Sequence, residues 1–277
     1  TWVWGPIGLV MATPLTVCLV VLGKHVPQLK FITVLMSDQP VADTKMIFYQ
    51  RLLAMDRNEA VHIVEEYIKD HSPEQVYDEV MLPALNFARL DRERDNLTDE
   101  QDKFIFEEIR TIVANLESKQ SGSARGPDES GTLAEESVPA RPNVRILGCP
   151  ARDEIDEAAL LMFQHLLNST RFETEVIGDA KLASEVVAEA GEKQTSLVCI
   201  AAVQPGGLAN TRYLCKRLRT QFSDIKIIVG LWGFSADLEA TRKSLLASGA
   251  DQVGTSLLES RDQIGNLSQL VSGPGPS

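Results

Sequence analysis

The sequence is short of the residues that usually announce chemistry. Its four cysteines, Cys18, Cys149, Cys199 and Cys215, show no C-x-x-C spacing, and each lies in an apolar or helical context. That excludes a disulfide scaffold and a cysteine zinc site, and it points to reduced thiols. The four histidines, His25, His62, His71 and His165, are scattered without a metal-ligating neighbour at useful spacing. No hydrolase elbow, Walker loop or G-x-G-x-x-G fingerprint is present. The chain is therefore read as a non-enzyme with no metal site. A basic surplus is missing too, since 27 Lys and Arg stand against 39 Asp and Glu, a net charge of -12. Phosphate contacts need basic surface, so nucleic acid is excluded as a partner.

Residues 1–35 contain no carboxylate, and their only charges are Lys24 and Lys30. From Trp2 to Gly23 the run is uncharged, and about 20 helical residues span the roughly 30 Å hydrocarbon layer of a bilayer. Trp2 and Trp4 suit an interfacial aromatic belt at one end, while Lys24, His25 and Lys30 suit the cytoplasmic side. A transmembrane helix is expected there. Pro6 and Pro14 each remove a backbone donor, so a kinked helix packed in a bundle fits better than an isolated one. A signal-peptide core would require a basic n-region and an A-x-A site, which are missing; a buried helix of a soluble protein is the remaining competitor. The start at Thr1, inside the apolar run, is read as a piece of a longer chain.

Residues 40–117 carry helical periodicity: Phe48, Leu52 and Leu53, then Ala60, Ile63, Val64 and Tyr67, then Val76, Val80, Leu82 and Leu85. These three- and four-residue steps mark amphipathic helices and a bundle of about four. Ser72-Pro73 reads as one helix start, and Thr98 with Gln101 as a capping box opening another. Residues 118–142 are rich in Ser, Gly, Pro and charge, which predicts a disordered linker, as does the composition of the tail 269–277. From residue 143 to 268, short β-branched runs alternate with helices. Runs such as Ile227-Ile228-Val229 are apolar on both faces, as central parallel strands are when helices cover both sides. Five strands make a flavodoxin-like, doubly wound α/β domain with a five-stranded parallel sheet.

Ligands in such sheets bind beyond the carboxyl ends of the strands. The candidate cleft is lined by Arg152 and Asp153 after the first strand, Gln204, Gly206 and Gly207 after the third, and Gly230 and Trp232 at the fourth. Gly206-Gly207 either lets backbone amides approach an anion or serves a tight turn. Trp232 and Phe234 either cap a ligand or close the core. Asp153, Glu154 and Asp156 are compatible with the acidic pocket of a phospho-receiver domain, but no lysine follows the last strand, and a solvated helix N-terminus explains the same residues.

The stretch from Tyr49-Gln50-Arg51-Leu52-Leu53-Ala54 through Val76-Tyr77-Asp78-Glu79-Val80-Met81-Leu82-Pro83-Ala84-Leu85 resembles the helical cap of the cobalamin-binding module of methionine synthase and light-sensing repressors. The likeness extends over most of residues 45–260. It implies a D-x-H-x-x-G motif after the first strand, whose histidine coordinates cobalt while other loops enclose the nucleotide tail. Here Asp153 is kept, Ile155 takes the histidine position and Ala158 the glycine position. The family's later serine and one glycine are replaced around Ala201-Ala202-Val203 and Gly230-Leu231, and its cap tryptophan falls near Asp91. Isoleucine has no lone pair for cobalt. The expectation is a kept fold with no cofactor and no bound cobalamin.

A second resemblance rests on Trp4-Gly5-Pro6-Ile7-Gly8-Leu9-Val10-Met11-Ala12-Thr13-Pro14-Leu15-Thr16, which is similar to the closing membrane helix of the autoinducer-2 exporter-like permeases. It implies the C-terminal part of a bacterial inner-membrane permease with a cytoplasmic regulatory or assembly tail. Its partners would be the bilayer, upstream membrane helices, a small-molecule effector or cytosolic protein, and a second copy of the chain. The competing reading is a cobalamin-binding sensor or methyl carrier using a mode without histidine.

Overall fold

A five-stranded parallel sheet organises the described residues. The computed structural model describes residues 43–123, 144–167, 171–178, 181–233 and 238–271. The expected membrane helix and juxtamembrane segment (1–35), the linker from residue 124 on, Phe234 and Cys18 lie outside them. Among the described residues no helix is long and apolar enough to cross a membrane.

The strands are β1 (Val144–Pro150), β2 (Phe172–Val176), β3 (Leu197–Ala201), β4 (Lys226–Gly230) and β5 (Gln252–Gly254). They lie in the order β2-β1-β3-β4-β5, and all neighbours pair in parallel. Every residue of β3 is buried, which is why its sequence LVCIA shows no polar alternation. This is the expected flavodoxin-like order, and it places the switch point between β1 and β3.

Among the described residues four α-helices precede the sheet and form the cap: α1 (Thr44–Leu53), α2 (Arg57–Asp70), α3 (Leu82–Glu93) and α4 (Asp99–Ser123). A π-helical turn, Tyr77–Met81, leads directly into α3. The expected capping box opens α4: the Gln101 amide donates to Thr98 Oγ1 at 3.2 Å, and the Thr98 amide donates to Gln101 Oε1 at 3.1 Å. Ser72 and Pro73 open a turn, closed by the Gln75 amide on the Ser72 carbonyl, and the helical stretch begins at Gln75, two residues later than expected. Helix α4 continues to Ser123, into the stretch of linker composition that begins at residue 118.

The remaining helices are α5 (Glu154–Leu166), α6 (Ala183–Glu192), α7 (Leu208–Gln221), α8 (Leu238–Ala247) and α9 (Leu257–Val271). One apolar core joins the cap to α5, α9 and the sheet face they cover, through Phe48, Tyr77, Leu85, Ile109, Phe163 and Trp232. A second core fills the opposite face under α6, α7 and α8. Each large side chain fully buried in this way contributes roughly 1.5–3 kcal/mol relative to exposure. Cap and sheet are thus continuous in packing, and the cap also leans over the strand ends that form the switch point.

Candidate functional site

Helix α3 carries an arginine on its buried stripe. Leu82, Leu85 and Arg89 follow one another at helical spacing, and Arg89 is 1% exposed. Its guanidinium crosses the seam between cap and sheet. Nη1 donates to the Val203 carbonyl just beyond β3. Nη2 donates to Asp153 Oδ1 and, at 3.0 Å, to Asp156 Oδ1, both just beyond β1. Asp156 Oδ1 also accepts the Val203 amide at 2.8 Å. The cluster therefore ties the cap to both strands of the switch point.

A buried cation is retained only when paired, and here two carboxylates and a carbonyl share the task. The satisfaction is incomplete. Arg89 Nε and Asp156 Oδ2 have no protein partner, nor has Asn86 Oδ1 on the same helix. Burial pushes the Asp156 carboxyl up to about 6; Arg89 pulls it down and the neighbouring Asp153 pushes it up. A second tier of ion pairs lies further out: Arg152 to Glu93 at 2.8 Å, Arg92 to Asp102 at 2.6 Å, and Arg92 to Asp153 at 3.6 Å.

Among the residues expected to line a cleft, Arg152 and Asp153 do meet the cap. Asp153 is the N-cap of α5, its Oδ1 accepting the Ile155 amide at 3.1 Å. Asp156 corrects the reading of this acidic group as a solvated helix end, because its carboxylate is fully buried against Arg89. Gly206 and Gly207 take φ values of 102° and 75°, which the turn into α7 requires. Gln204 turns inward, its Nε2 donating to the Gly206 carbonyl at 3.0 Å. Trp232 is fully buried, tilted against Phe163 and donating from Nε1 to Ser260 Oγ at 3.0 Å. It closes the core over Gly230 rather than lining a cleft.

The sequence reading missed Arg89, and the signal was available, because a charge stood on an otherwise apolar helical stripe. It also missed Asp78, whose two carboxylate oxygens accept the Leu257 and Leu258 amides at 2.7 and 3.0 Å. Asp78 thereby caps α9 from the π-turn, satisfying amides that a helix start leaves open. His165 lies toward the far end of α5, hydrogen-bonded through Nδ1 to the Tyr77 hydroxyl, and burial lowers its pKa. Ile155 and Ala158 are buried in the first turns of α5. Among the described residues no group of three metal-ligating side chains forms a site.

No protein-family model matches the chain, and no curated protein matches it. Solved structures do. The monomethylamine corrinoid protein of Methanosarcina barkeri aligns at 12% identity and a TM-score of 0.56, covering 81% of this chain and 98% of its own. A cobalamin-binding protein from Desulfitobacterium hafniense is 13% identical with a TM-score of 0.39, covering 84% of this chain and 100% of its own. The methanol:cobalamin methyltransferase complex MtaBC of M. barkeri is 11% identical with a TM-score of 0.36, covering 85% of this chain and 82% of its own. The first likeness establishes the fold, a helical cap on a five-stranded flavodoxin-like sheet; the other two scores are too low to add to it.

The expectation of no cofactor is corrected by this likeness. A chain of the same fold is a corrinoid protein, so the missing histidine at position 155 does not by itself remove a corrinoid from consideration. The residues present fit such a group only at its edge. Ile155 offers no lone pair to cobalt, and no described imidazole lies at the seam. The unpartnered Asp156 Oδ2 and Arg89 Nε match amide N–H and C=O groups such as those a corrin carries around its rim. The permease resemblance rests on residues outside the described ones, and no comparison supports it.

Proposed function

We propose that the cap and sheet form a sensor module of the corrinoid-carrier fold, whose ligand enters the seam held by Arg89. The observation that carries this reading is the buried Arg89, Asp153 and Asp156 cluster at the switch point, with one donor and one acceptor left open. A native buried polar atom without a partner calls for an explanation, and a polar ligand group supplies one.

A corrinoid bound there would supply a coloured, ligand-exchanging metal centre. The chain's own residues do the rest. Asp156 Oδ2 would accept a rim amide N–H and Arg89 Nε would donate to a rim carbonyl, while the Trp232 and Phe163 pair closes the core beneath. With no imidazole among the described residues at the seam to hold the metal, recognition of the rim would suit a sensor better than a methyl carrier. A ligand group entering between Arg89 and Asp156 parts the seam that they hold, so binding shifts the cap toward a more open state by differential affinity. The uncharged run from Trp2 to Gly23 supports a membrane-attached setting, with the module on the side of Lys24 and Lys30.

Spectroscopic titration of the purified chain with hydroxocobalamin and adenosylcobalamin tests the proposal. Saturable absorbance changes are expected at roughly micromolar ligand, about -8 kcal/mol of binding free energy. Affinity should change when Arg89 is replaced by Lys. Absence of saturable binding by either compound would remove the corrinoid reading.

A further inference from the structure

The sheet face opposite the cap carries a basic surface in an acidic chain. Residues 208–247 hold seven Lys and Arg against three Asp and Glu, a local net charge of +4, while the whole chain stands at -12. On α7, Arg212, Tyr213, Lys216, Arg217 and Thr220 share one exposed face. Arg217 lies over the Tyr213 ring at 5.9 Å. Helix α8 runs alongside and adds Arg242, Lys243 and Leu246. A cavity of about 220 Å³ opens between the two helices, lined by Arg212, Thr241 and Ser244.

Two features separate this surface from an ordinary solvated face. Among the described residues, Arg212, Lys216, Arg217, Arg242 and Lys243 make no ion pair, although carboxylates outnumber cations in the chain; Arg219 and Lys226 beside them do pair, with Asp251. The only carboxylate on α8 is Glu239, which pairs with neither Arg242 nor Lys243. The cations are also interleaved with exposed apolar side chains, Tyr213 at 55% and Leu246 at 41% exposure. Unpaired cations with an aromatic and a leucine between them match the charged headgroups and interfacial layer of an anionic bilayer. The same chain holds the uncharged run from Trp2 to Gly23 followed by Lys24 and Lys30, so a bilayer is the partner its own sequence favours.

We propose that the α7 and α8 face docks on an anionic lipid surface, leaving the cap directed away from it. The proposal does not depend on what the Arg89 seam binds. It is tested on the full chain with Cys18→Ser and Thr220→Cys, the latter carrying an environment-sensitive dye; Cys149, Cys199 and Cys215 are buried, which raises their thiol pKa and shields them from the label. Vesicles of phosphatidylcholine are compared with vesicles containing about one-third phosphatidylglycerol, both with a headgroup-level quencher, so insertion of the N-terminal run is common to both. Quenching is expected in the anionic vesicles alone, at least about fivefold weaker at 0.5 M salt and in Lys216→Glu with Arg217→Glu. Lys216→Arg should retain it, and Lys216→Gln with Arg217→Gln replaces the charge reversal if that variant fails to fold. Equal quenching in both vesicles, no effect of the neutralised variant, or a dye response to RNA in place of lipid would overturn the proposal.

Discussion

The indole of Trp232 lies directly against the Cα of Gly230. A Cβ at Gly230 would stand 2.7 Å from Trp232 Nε1 and closer still to the ring carbons. Only glycine leaves room for the ring between the end of β4 and α9. Gly230→Ala should therefore destabilise the fold by about 1–3 kcal/mol, through overpacking. Thermal or denaturant unfolding of the variant checks this, and a loss of less than about 0.5 kcal/mol would contradict the packing described.

Removing Arg89 leaves the buried Asp156 without its cation, while Arg92 stays beside Asp153. Arg89→Ala is expected to cost about 3–5 kcal/mol, the range for breaking a buried ion pair from one side. A double-mutant cycle with Asp156→Asn should be non-additive, because the two side chains share a hydrogen bond at 3.0 Å. Additive losses in denaturant melts would show that the cap is held elsewhere.

Asp156 also sets a pH dependence. Burial raises its carboxyl to about 6 in the folded state. The folded chain then holds this proton more tightly than the unfolded chain does. Its stabilising contribution is fully present below about pH 4 and is lost as pH rises toward about 6, with no further change above. Unfolding free energies measured across this window should fall with rising pH from this group, and Asp156→Asn should flatten that slope. An unchanged slope would place the titration on another residue.

Asp78 links the π-turn to α9 by accepting two amides at the helix start. Asp78→Ala removes both acceptors and should cost about 1–2 kcal/mol, the upper range for an N-cap. Hydrogen exchange at Leu257 and Leu258 should rise with it, while amides of α7 keep their protection. Uniform acceleration over the whole domain would mean that the cap and sheet unfold as one unit, and local uncapping would not be the cause.

The Tyr77 hydroxyl and His165 Nδ1 form a second polar link between the π-turn and α5. Tyr77→Phe leaves the half-buried imidazole nitrogen without its partner and should cost about 1 kcal/mol. The His165 titration, followed by NMR, should move with the variant if that bond contributes to the imidazole's environment.

Local patterns carried much of the architecture. The five β-branched runs became β1 to β5, and Thr98 with Gln101 became the predicted capping box, because period and capping are properties of neighbouring residues. The site was less legible. Asp153 was singled out by its place after β1, but the same proximity to a helix start made Asp156 look like a solvated acid. Its burial depends on Arg89, 67 residues earlier, crossing the seam.

What the sequence determined alone is therefore the order and kind of its elements, the acidity of the whole and the absence of an imidazole at position 155. The tertiary structure decided which charges face each other. Hydrophobic periodicity is written within one helix or strand, whereas pairing across the cap and sheet depends on distances between elements that no local pattern encodes. Arg89 on a buried stripe costs free energy until two carboxylates from another part of the chain are brought to it, and only the packed cap brings them.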